Sequence, residues 1–192
     1  MGGAVSAAPV FAGLLLGAAG LLLYRQQGAV AAPGGAEVAP SEDIGIMDTL
    51  KETVGLWHAP AQYAPAIAAA ESANGLPRRL LERLLWQESR YRADIISGAR
   101  RSSAGALGIA QFMPATAAEM GIDPLDAFAS IDAAATYLAR LYRRFASWEM
   151  ALAAYNWGQG NVARKGLAAA PAETRAYYSE ILADLGDLGD VA

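Results

Sequence analysis

The 192-residue chain is long enough for one ordinary domain with an appended segment, and its formal net charge of −4 does not suggest a nucleic-acid-binding protein. It contains no cysteine, which excludes disulfides, thiolate metal sites and a cysteine nucleophile. Its one histidine, His58, excludes a paired-histidine zinc motif, and any Ser-His-Asp triad would depend on that residue alone.

The first 25 residues are strongly apolar. Gly2 to Leu23 carries no charged side chain, and the run from Val10 to Leu23 is just long enough to cross a bilayer as a helix. We therefore predict a membrane segment over residues 1–25. A cleaved signal peptide is the alternative, because Ala29 to Ala31 has the small-residue pattern of a cleavage site, although no Lys or Arg precedes the apolar run.

Residues 26–45 are rich in Ala, Gly and Pro and show no apolar period, which predicts a flexible linker. From residue 46 to residue 192 the sequence predicts one compact, mainly α domain, since no alternating strand pattern runs for more than a few residues. The Gly- and Ser-rich stretch from Ser97 to Gly108 is the one break of this kind inside it.

The first predicted helix of the domain runs from Tyr63 to Ala73, with Asn74-Gly75 as its stop signal. Pro77 suits the first turn of a second helix that continues to Glu88.

Further along the chain, Pro114 opens a short helix that Gly121 ends. Ser130 is predicted to cap a helix, and Ser147 to cap the next one, which ends near Asn156 before Gly158. The helix after Ser130 has an apolar stripe of Ala134, Leu138, Leu141 and Phe145. A last helix begins near Glu173.

Glu88 departs from the apolar pattern of its helix. Leu81, Leu84, Leu85 and Glu88 follow the i, i+3, i+4, i+7 spacing of one helical face. A carboxyl group at the end of an apolar stripe loses water, which raises its pKa toward the value that a general acid needs near neutral pH. The alternative is that the helix ends here and Glu88 reaches solvent or pairs with Arg92.

Four short motifs occur in one order along the chain. They are Glu88-Ser89, the run from Ser102 through Gly105 and Gly108 to Pro114, Ala154-Tyr155-Asn156, and Glu173-Thr174 followed by Tyr177. Together they resemble the soluble-lytic-transglycosylase family, which is goose-lysozyme-like, over residues 60 to 185. The resemblance implies a lysozyme-like helical domain with a short loop or hairpin beside its cleft.

The resemblance also implies roles for individual residues. Glu88 takes the position of the family's catalytic carboxylate. The residues that match the family's substrate-binding positions are Ser102 (with Ser103 as an alternative), Gln111, Met113, Tyr155, Asn156, Glu173 and Tyr177. Within them, Tyr155 would hold the carboxylate or the substrate by its hydroxyl, and Gln111 would bond the substrate around an N-acetyl group. The glycines would let the backbone approach the sugar closely.

The implied activity is cleavage of the β-1,4 bond from N-acetylmuramic acid to N-acetylglucosamine in peptidoglycan, with a 1,6-anhydro end and without metal or cofactor. A lysozyme-type hydrolase with Asp94 or Asp123 as a second carboxylate, and a non-catalytic peptidoglycan-binding or structural protein, are the alternatives. The expected partners are glycan strands and, through residues 1–25, a membrane, with no nucleic acid. The expected location is the cell envelope, at the periplasmic face of the inner membrane or exported, or a phage particle.

Three features depart from the family pattern. Arg92-Ala93 follows Tyr91 where the family often has Asn-Pro, and Ala110 replaces the common methionine. The segment between Glu88 and Gly105 is also longer than usual and holds Arg100 and Arg101. These differences concern the rim of the expected cleft.

Overall fold

A computed structural model describes residues 57–186, and this part of the chain is helical. Its helices are α1 (Ala64–Asn74), α2 (Leu80–Ser89), α3 (Ala93–Ile96), α4 (Pro114–Met120), α5 (Ala127–Phe145), α6 (Trp148–Trp157), α7 (Gln159–Lys165) and α8 (Ala172–Leu185), with a 3-10 turn over Leu167–Ala169. The mainly α class is confirmed. The predicted membrane segment, the linker and the start of the domain at residue 46 lie outside the described residues.

The long helix α5 packs against α1 and α6. Helix α6 also packs against α7 and α8, and α2 packs against α1 and α8. The apolar stripe predicted for α5 is buried at Ala134, Leu138 and Leu141, which are 0% exposed. Burial of each such leucine contributes about 1.5–3 kcal/mol, so the stripe anchors α5 between its neighbours.

Among residues 57–186, no helix is both long enough and apolar enough to cross a bilayer.

The start of α2 differs from the prediction. Pro77 lies before the helix, which begins at Leu80, and Arg79 at the boundary adopts a left-handed conformation with φ 71°. The cause is Glu71 of α1, whose buried carboxylate accepts hydrogen bonds from the backbone N–H groups of Arg79, Leu81 and Glu82 at 2.9, 2.8 and 3.3 Å. A side chain from the preceding helix therefore caps the helix that carries Glu88.

The start of α5 also differs from the prediction. The helix begins at Ala127, because the Asp126 side chain accepts from the N–H groups of Phe128 and Ala129, both at 3.0 Å. Ser130, predicted as the cap, lies within the helix and donates its hydroxyl to the Pro124 carbonyl at 3.2 Å. The Asp126 side chain thus accepts hydrogen bonds from two backbone N–H groups in the first turn of α5, and this fixes the start of the helix.

Other helix boundaries agree with the sequence. Gly75 and Gly121 follow α1 and α4 in the left-handed conformation, and the Ser147 hydroxyl accepts from the N–H of Met150 at 3.2 Å. The short helices α3 and α7 were not predicted, since four and seven residues are too few to show an apolar period.

Candidate active site

Glu88 lies in the last turn of α2 and continues its buried stripe. Leu81, Leu84 and Leu85 are 0% exposed, whereas Glu88 keeps partial access to solvent. Arg92 pairs with Asp94 at 2.7 Å and not with Glu88, the partner that the alternative interpretation predicts. The carboxyl group is thus held at the end of an apolar face, crowded by protein on most sides.

Tyr177 of α8 contacts this carboxyl group. Its hydroxyl donates a hydrogen bond of 2.5 Å to Glu88 Oε1, and its side chain is buried. The resemblance implies that the Tyr155 hydroxyl holds either the carboxylate or the substrate, and that Tyr177 lines the substrate groove. Tyr155 and Tyr177 lie on different helices, so their distances to Glu88 depend on how those helices pack and not on the order of the motifs.

Burial raises the pKa of the Glu88 carboxyl well above its usual value. The hydrogen bond from Tyr177 and the positive charge of Arg90 act in the opposite direction and only partly offset this effect. The carbonyl end of α2 adds a further reason for protonation, since the negative end of a helix dipole disfavours a carboxylate. Glu88 can therefore hold a proton at a pH where an exposed glutamate has lost it.

The chain just after Glu88 is fixed by local hydrogen bonds. The Ser89 hydroxyl donates to the Leu85 carbonyl at 3.0 Å and accepts from the Tyr91 N–H at 3.2 Å. The Tyr91 hydroxyl donates to the carbonyl of Glu82 at 2.7 Å, which returns the chain to the first turn of α2. Arg90 and Tyr91 both adopt the left-handed conformation. These bonds explain why a serine and an aromatic residue follow the glutamate.

Tyr155 of α6 links the site to the glycine-containing turn. Its hydroxyl donates to the Ala110 carbonyl at 3.0 Å, and its ring lies 6.0 Å from the ring of Phe112 and 5.5 Å from that of Tyr137. Burial and the neighbouring Glu88 raise the pKa of Tyr155 well above its usual value, so this hydroxyl stays protonated. Tyr155 therefore lies within electrostatic range of Glu88 while it holds the turn.

The turn itself joins Leu107 to Phe112 by an antiparallel bridge with N–H···O distances of 3.0 and 3.1 Å. The bridge closes a short turn in the segment where the resemblance implies a short loop or hairpin. Gln111 is buried, has φ 49° and donates its side-chain amide to the Gly108 carbonyl at 2.8 Å. In this structure the Gln111 side chain therefore stabilises the turn from inside.

Gly108 is required by packing as well as by its φ of 74°. A Cβ atom at this position would lie 1.7 Å from the carbonyl oxygen of Pro124. At Gly105, with φ 87°, a Cβ would meet nothing within 4 Å. Close approach of the chain segment before α5 thus accounts for Gly108, whereas only backbone conformation accounts for Gly105.

Asn156 is paired with a residue that the sequence analysis missed. Its Oδ1 accepts from the Thr174 hydroxyl at 2.8 Å, and both side chains are buried where α6 packs on α8. Glu173, the predicted substrate-binding residue that precedes Thr174, is exposed on the first turn of α8. Both residues belong to one of the four motifs, but the sequence analysis gives a substrate-binding role to Glu173 and none to Thr174.

The remaining predicted residues lie on the loop side. The Ser102 hydroxyl accepts from the Ala106 N–H at 2.8 Å, whereas Ser103 is exposed. Met113 precedes α4 and is partly exposed. Among the described residues, no three His, Cys, Asp or Glu side chains are grouped so as to hold a metal ion.

A glutamate that holds its proton at the end of a helix, with a buried tyrosine bonded to its carboxyl group, is an arrangement suited to general acid–base chemistry. The family model of the transglycosylase SLT domain matches residues 65–178, and the chain belongs to this family. The resemblance seen in the four motifs is thereby confirmed.

Individual relatives agree with this assignment. The chain is 35% identical over 112 residues to the peptidoglycan transglycosylase gp16 of Escherichia phage T7, a match that covers 54% of this chain and 8% of that protein. The soluble lytic transglycosylase Slt70 of Escherichia coli has a TM-score of 0.58 and 26% identity, over 73% of this chain and 25% of that one. An inactive mutant of the lytic transglycosylase Slt of Pseudomonas aeruginosa has a TM-score of 0.55 and 24% identity, over 68% and 24%. The chain therefore spans a small part of each relative.

Proposed function

We propose that this chain is a peptidoglycan lytic transglycosylase, which cleaves the β-1,4 bond from N-acetylmuramic acid to N-acetylglucosamine and leaves a 1,6-anhydromuramic end. The observation that carries the proposal is Glu88, whose pKa is raised by burial while Tyr177 holds one of its carboxyl oxygens. The family of the chain and the name of its phage T7 relative, a peptidoglycan transglycosylase, support the same substrate.

In the first step, protonated Glu88 gives its proton to the glycosidic oxygen as the bond from that oxygen to C1 of the muramic acid breaks. The 2-acetamido group of the same sugar stabilises the positive charge that develops at C1, so a second enzyme carboxylate is not needed. General acid catalysis is most effective when the pKa of the acid lies near the working pH, and burial moves the pKa of Glu88 in that direction.

In the second step, the Glu88 carboxylate takes the proton from the C6 hydroxyl of the muramic acid. The C6 oxygen then bonds to C1 and closes the 1,6-anhydro ring, which regenerates protonated Glu88 without consuming water. Tyr177 can donate to the carboxyl oxygen throughout, since burial and Glu88 raise the pKa of its own hydroxyl. It thereby fixes the direction in which the other oxygen meets the sugar.

The placement of other carboxylates supports transglycosylation over hydrolysis. No carboxylate of the described residues is among the charges that shift the pKa of Glu88. Asp94 is partly exposed and paired with Arg92, and exposed Asp123 accepts from the Leu125 N–H at 2.9 Å. Neither of the two candidates for a lysozyme-type second carboxylate therefore has the surroundings of a partner to Glu88.

The substrate-binding set divides into two groups in this proposal. Ser102, Met113 and Glu173 have exposed or partly exposed side chains and are the ones that reach sugar directly. Gln111 and Asn156 are buried and bonded within the protein, so they shape the cleft wall unless the substrate displaces their bonds. We place the protein in the cell envelope or in a phage particle, in keeping with its T7 relative.

The test is mass spectrometry of the soluble products that the full chain releases from purified peptidoglycan, beside a Glu88→Gln variant. We expect anhydro-muropeptides, which are one water lighter than hydrolysis products, and we expect the variant to release none. Products that carry the added water would support a lysozyme-type muramidase instead. No release by a folded wild-type chain would support a non-catalytic binding or structural protein.

A further inference from the structure

A buried arginine lies outside the chemistry described so far. Arg83 is 2% exposed, although it belongs to α2 and stands only five residues before Glu88. Its Nε donates to Asp184 Oδ2 of α8 at 2.6 Å, and its Nη1 donates to Gln87 Oε1 at 2.8 Å. A buried guanidinium is costly unless it is paired, so this arrangement requires both partners.

The Arg83 contact is one of three that join α2 to α8 along a single seam. Arg83 meets Asp184 at 2.6 Å, the Gln87 amide donates to Glu180 at 3.3 Å, and Glu88 accepts from Tyr177 at 2.5 Å. The partners on α8 run backwards as those on α2 run forwards, so the helices are antiparallel at this seam. Asp184 and Tyr177 are seven residues apart, which places them on one face of α8.

We propose that Arg83 is a positioning residue, which through Asp184 sets the height and rotation of α8 so that the Tyr177 hydroxyl meets Glu88. The inference rests on the proposed function, in which the hydrogen bond from Tyr177 orients the Glu88 carboxyl group. An arginine is suited to this role because its rigid fork makes two bonds in fixed directions, which a lysine cannot reproduce.

A substitution at Asp184 can change the pKa of Glu88 in two ways that have opposite signs, so the direction of the shift distinguishes them. The hydrogen bond from Tyr177 and the charge of Arg90 both lower the pKa of Glu88, while the charges of Arg83, Glu180 and Asp184 act on Arg90. Removing the negative charge of Asp184 would by itself favour the Glu88 carboxylate and lower its pKa. Loss of the hydrogen bond from Tyr177 would instead raise the pKa of Glu88, because that bond lowers it.

The experiment is a carboxyl ¹³C NMR titration of Glu88 in the full chain, with the resonance assigned by its absence in Glu88→Gln. We expect Asp184→Asn to raise the pKa of Glu88 as Tyr177→Phe does, and the double variant to show no more than Tyr177→Phe alone. Asp132→Asn, the same substitution at an exposed site on α5, should leave the titration unchanged. The more conservative Arg83→Lys, which retains the charge, should shift it in the same direction as Asp184→Asn.

Activity on soluble glycan fragments gives the second measurement. We expect Asp184→Asn to lower kcat about three- to tenfold, as for one lost hydrogen bond, with KM unchanged. A lowered or unchanged Glu88 pKa in Asp184→Asn, or shifts that add in the double variant, would overturn the inference and leave Arg83 a purely structural residue. If the wild-type chain proved inactive, the proposed function would fail while the titration would still decide the inference.

Discussion

At the scale of single residues, Glu88 combines two properties that oppose each other. Its position at the end of a leucine stripe keeps the carboxyl group protonated, which general acid catalysis needs. The same position makes the ionised form unfavourable in the folded protein. The residue that carries the proposed chemistry is therefore expected to reduce the stability of the fold at neutral pH.

Replacement of Glu88 by glutamine tests both properties together. The pKa of Glu88 is higher in the folded than in the unfolded chain, so the folded state keeps the proton over a pH range where the unfolded state has lost it. Stability from this group is present below the unfolded pKa and is lost as pH rises through the folded one. We expect Glu88→Gln to unfold at a higher temperature than wild type by a margin that grows from pH 4 to pH 8, and to lose at least about a hundredfold in activity.

Thermal unfolding at several pH values, followed by circular dichroism, measures this margin. A variant that is less stable than wild type at every pH would show that the Glu88 carboxylate stabilises the fold, against the expectation.

At the scale of helices, the sequence predicted the described helices other than α3 and α7, but not always where they begin. The sequence correctly predicted the ends of α1 and α4 and the Ser147 cap, because these depend on residues that are neighbours in the chain. The start of α2 depends on Glu71, which approaches from the preceding helix, and the start of α5 was assigned to a serine four residues beyond the true cap, Asp126. Local patterns show a helix face, whereas caps from other elements require the folded structure.

Glu71 gives a prediction for the helix that carries the site. Its replacement by alanine leaves three backbone donors at the start of α2 without their acceptor, and we expect a loss of about 2–3 kcal/mol in the free energy of unfolding. Urea unfolding measures it. Glu119→Ala, at an exposed position on α4, is the control and should change stability by less than about 0.5 kcal/mol. Equal losses in the two variants would exclude a capping role for Glu71.

The turn before α4 gives a second prediction at this scale, based on a matched pair of glycines. Both have a positive φ, so either alanine substitution should cost about 1–2 kcal/mol in conformation. Gly108→Ala should cost clearly more than Gly105→Ala, because only its Cβ would collide with the Pro124 carbonyl. Chemical denaturation of the two variants decides this, and similar costs would mean that the segment before α5 yields readily.

At the scale of the whole domain, the site is assembled from segments that lie far apart in the chain. Glu88 and Tyr177 are separated by 89 positions, and Arg83 and Asp184 by 101. The resemblance to a family located the glutamate and the motif tyrosines, yet it could not tell which tyrosine meets the glutamate. The Arg83–Asp184 pair lies outside the four motifs, so no sequence signal pointed to it.

Phe112 shows how the core and the site depend on each other. It is 0% exposed, follows Gln111 in the turn, and has its ring 6.4 Å from Tyr137 of α5 and 6.0 Å from Tyr155 of α6. Phe112→Ala should lower the free energy of unfolding by about 3–5 kcal/mol, since it opens a cavity between the turn and both helices.

The same substitution at Phe128, which is 53% exposed at the start of α5, provides the matched control. Phe128→Ala removes an equal side chain with little cavity, so its cost should stay below about 1 kcal/mol. Under conditions where both variants are fully folded, we expect only Phe112→Ala to release anhydro-muropeptides more slowly, because Tyr155 and the turn lose a shared packing partner. Wild-type activity in a folded Phe112→Ala variant would mean that the turn holds its geometry through the Leu107 bridge and the Gln111 side chain alone.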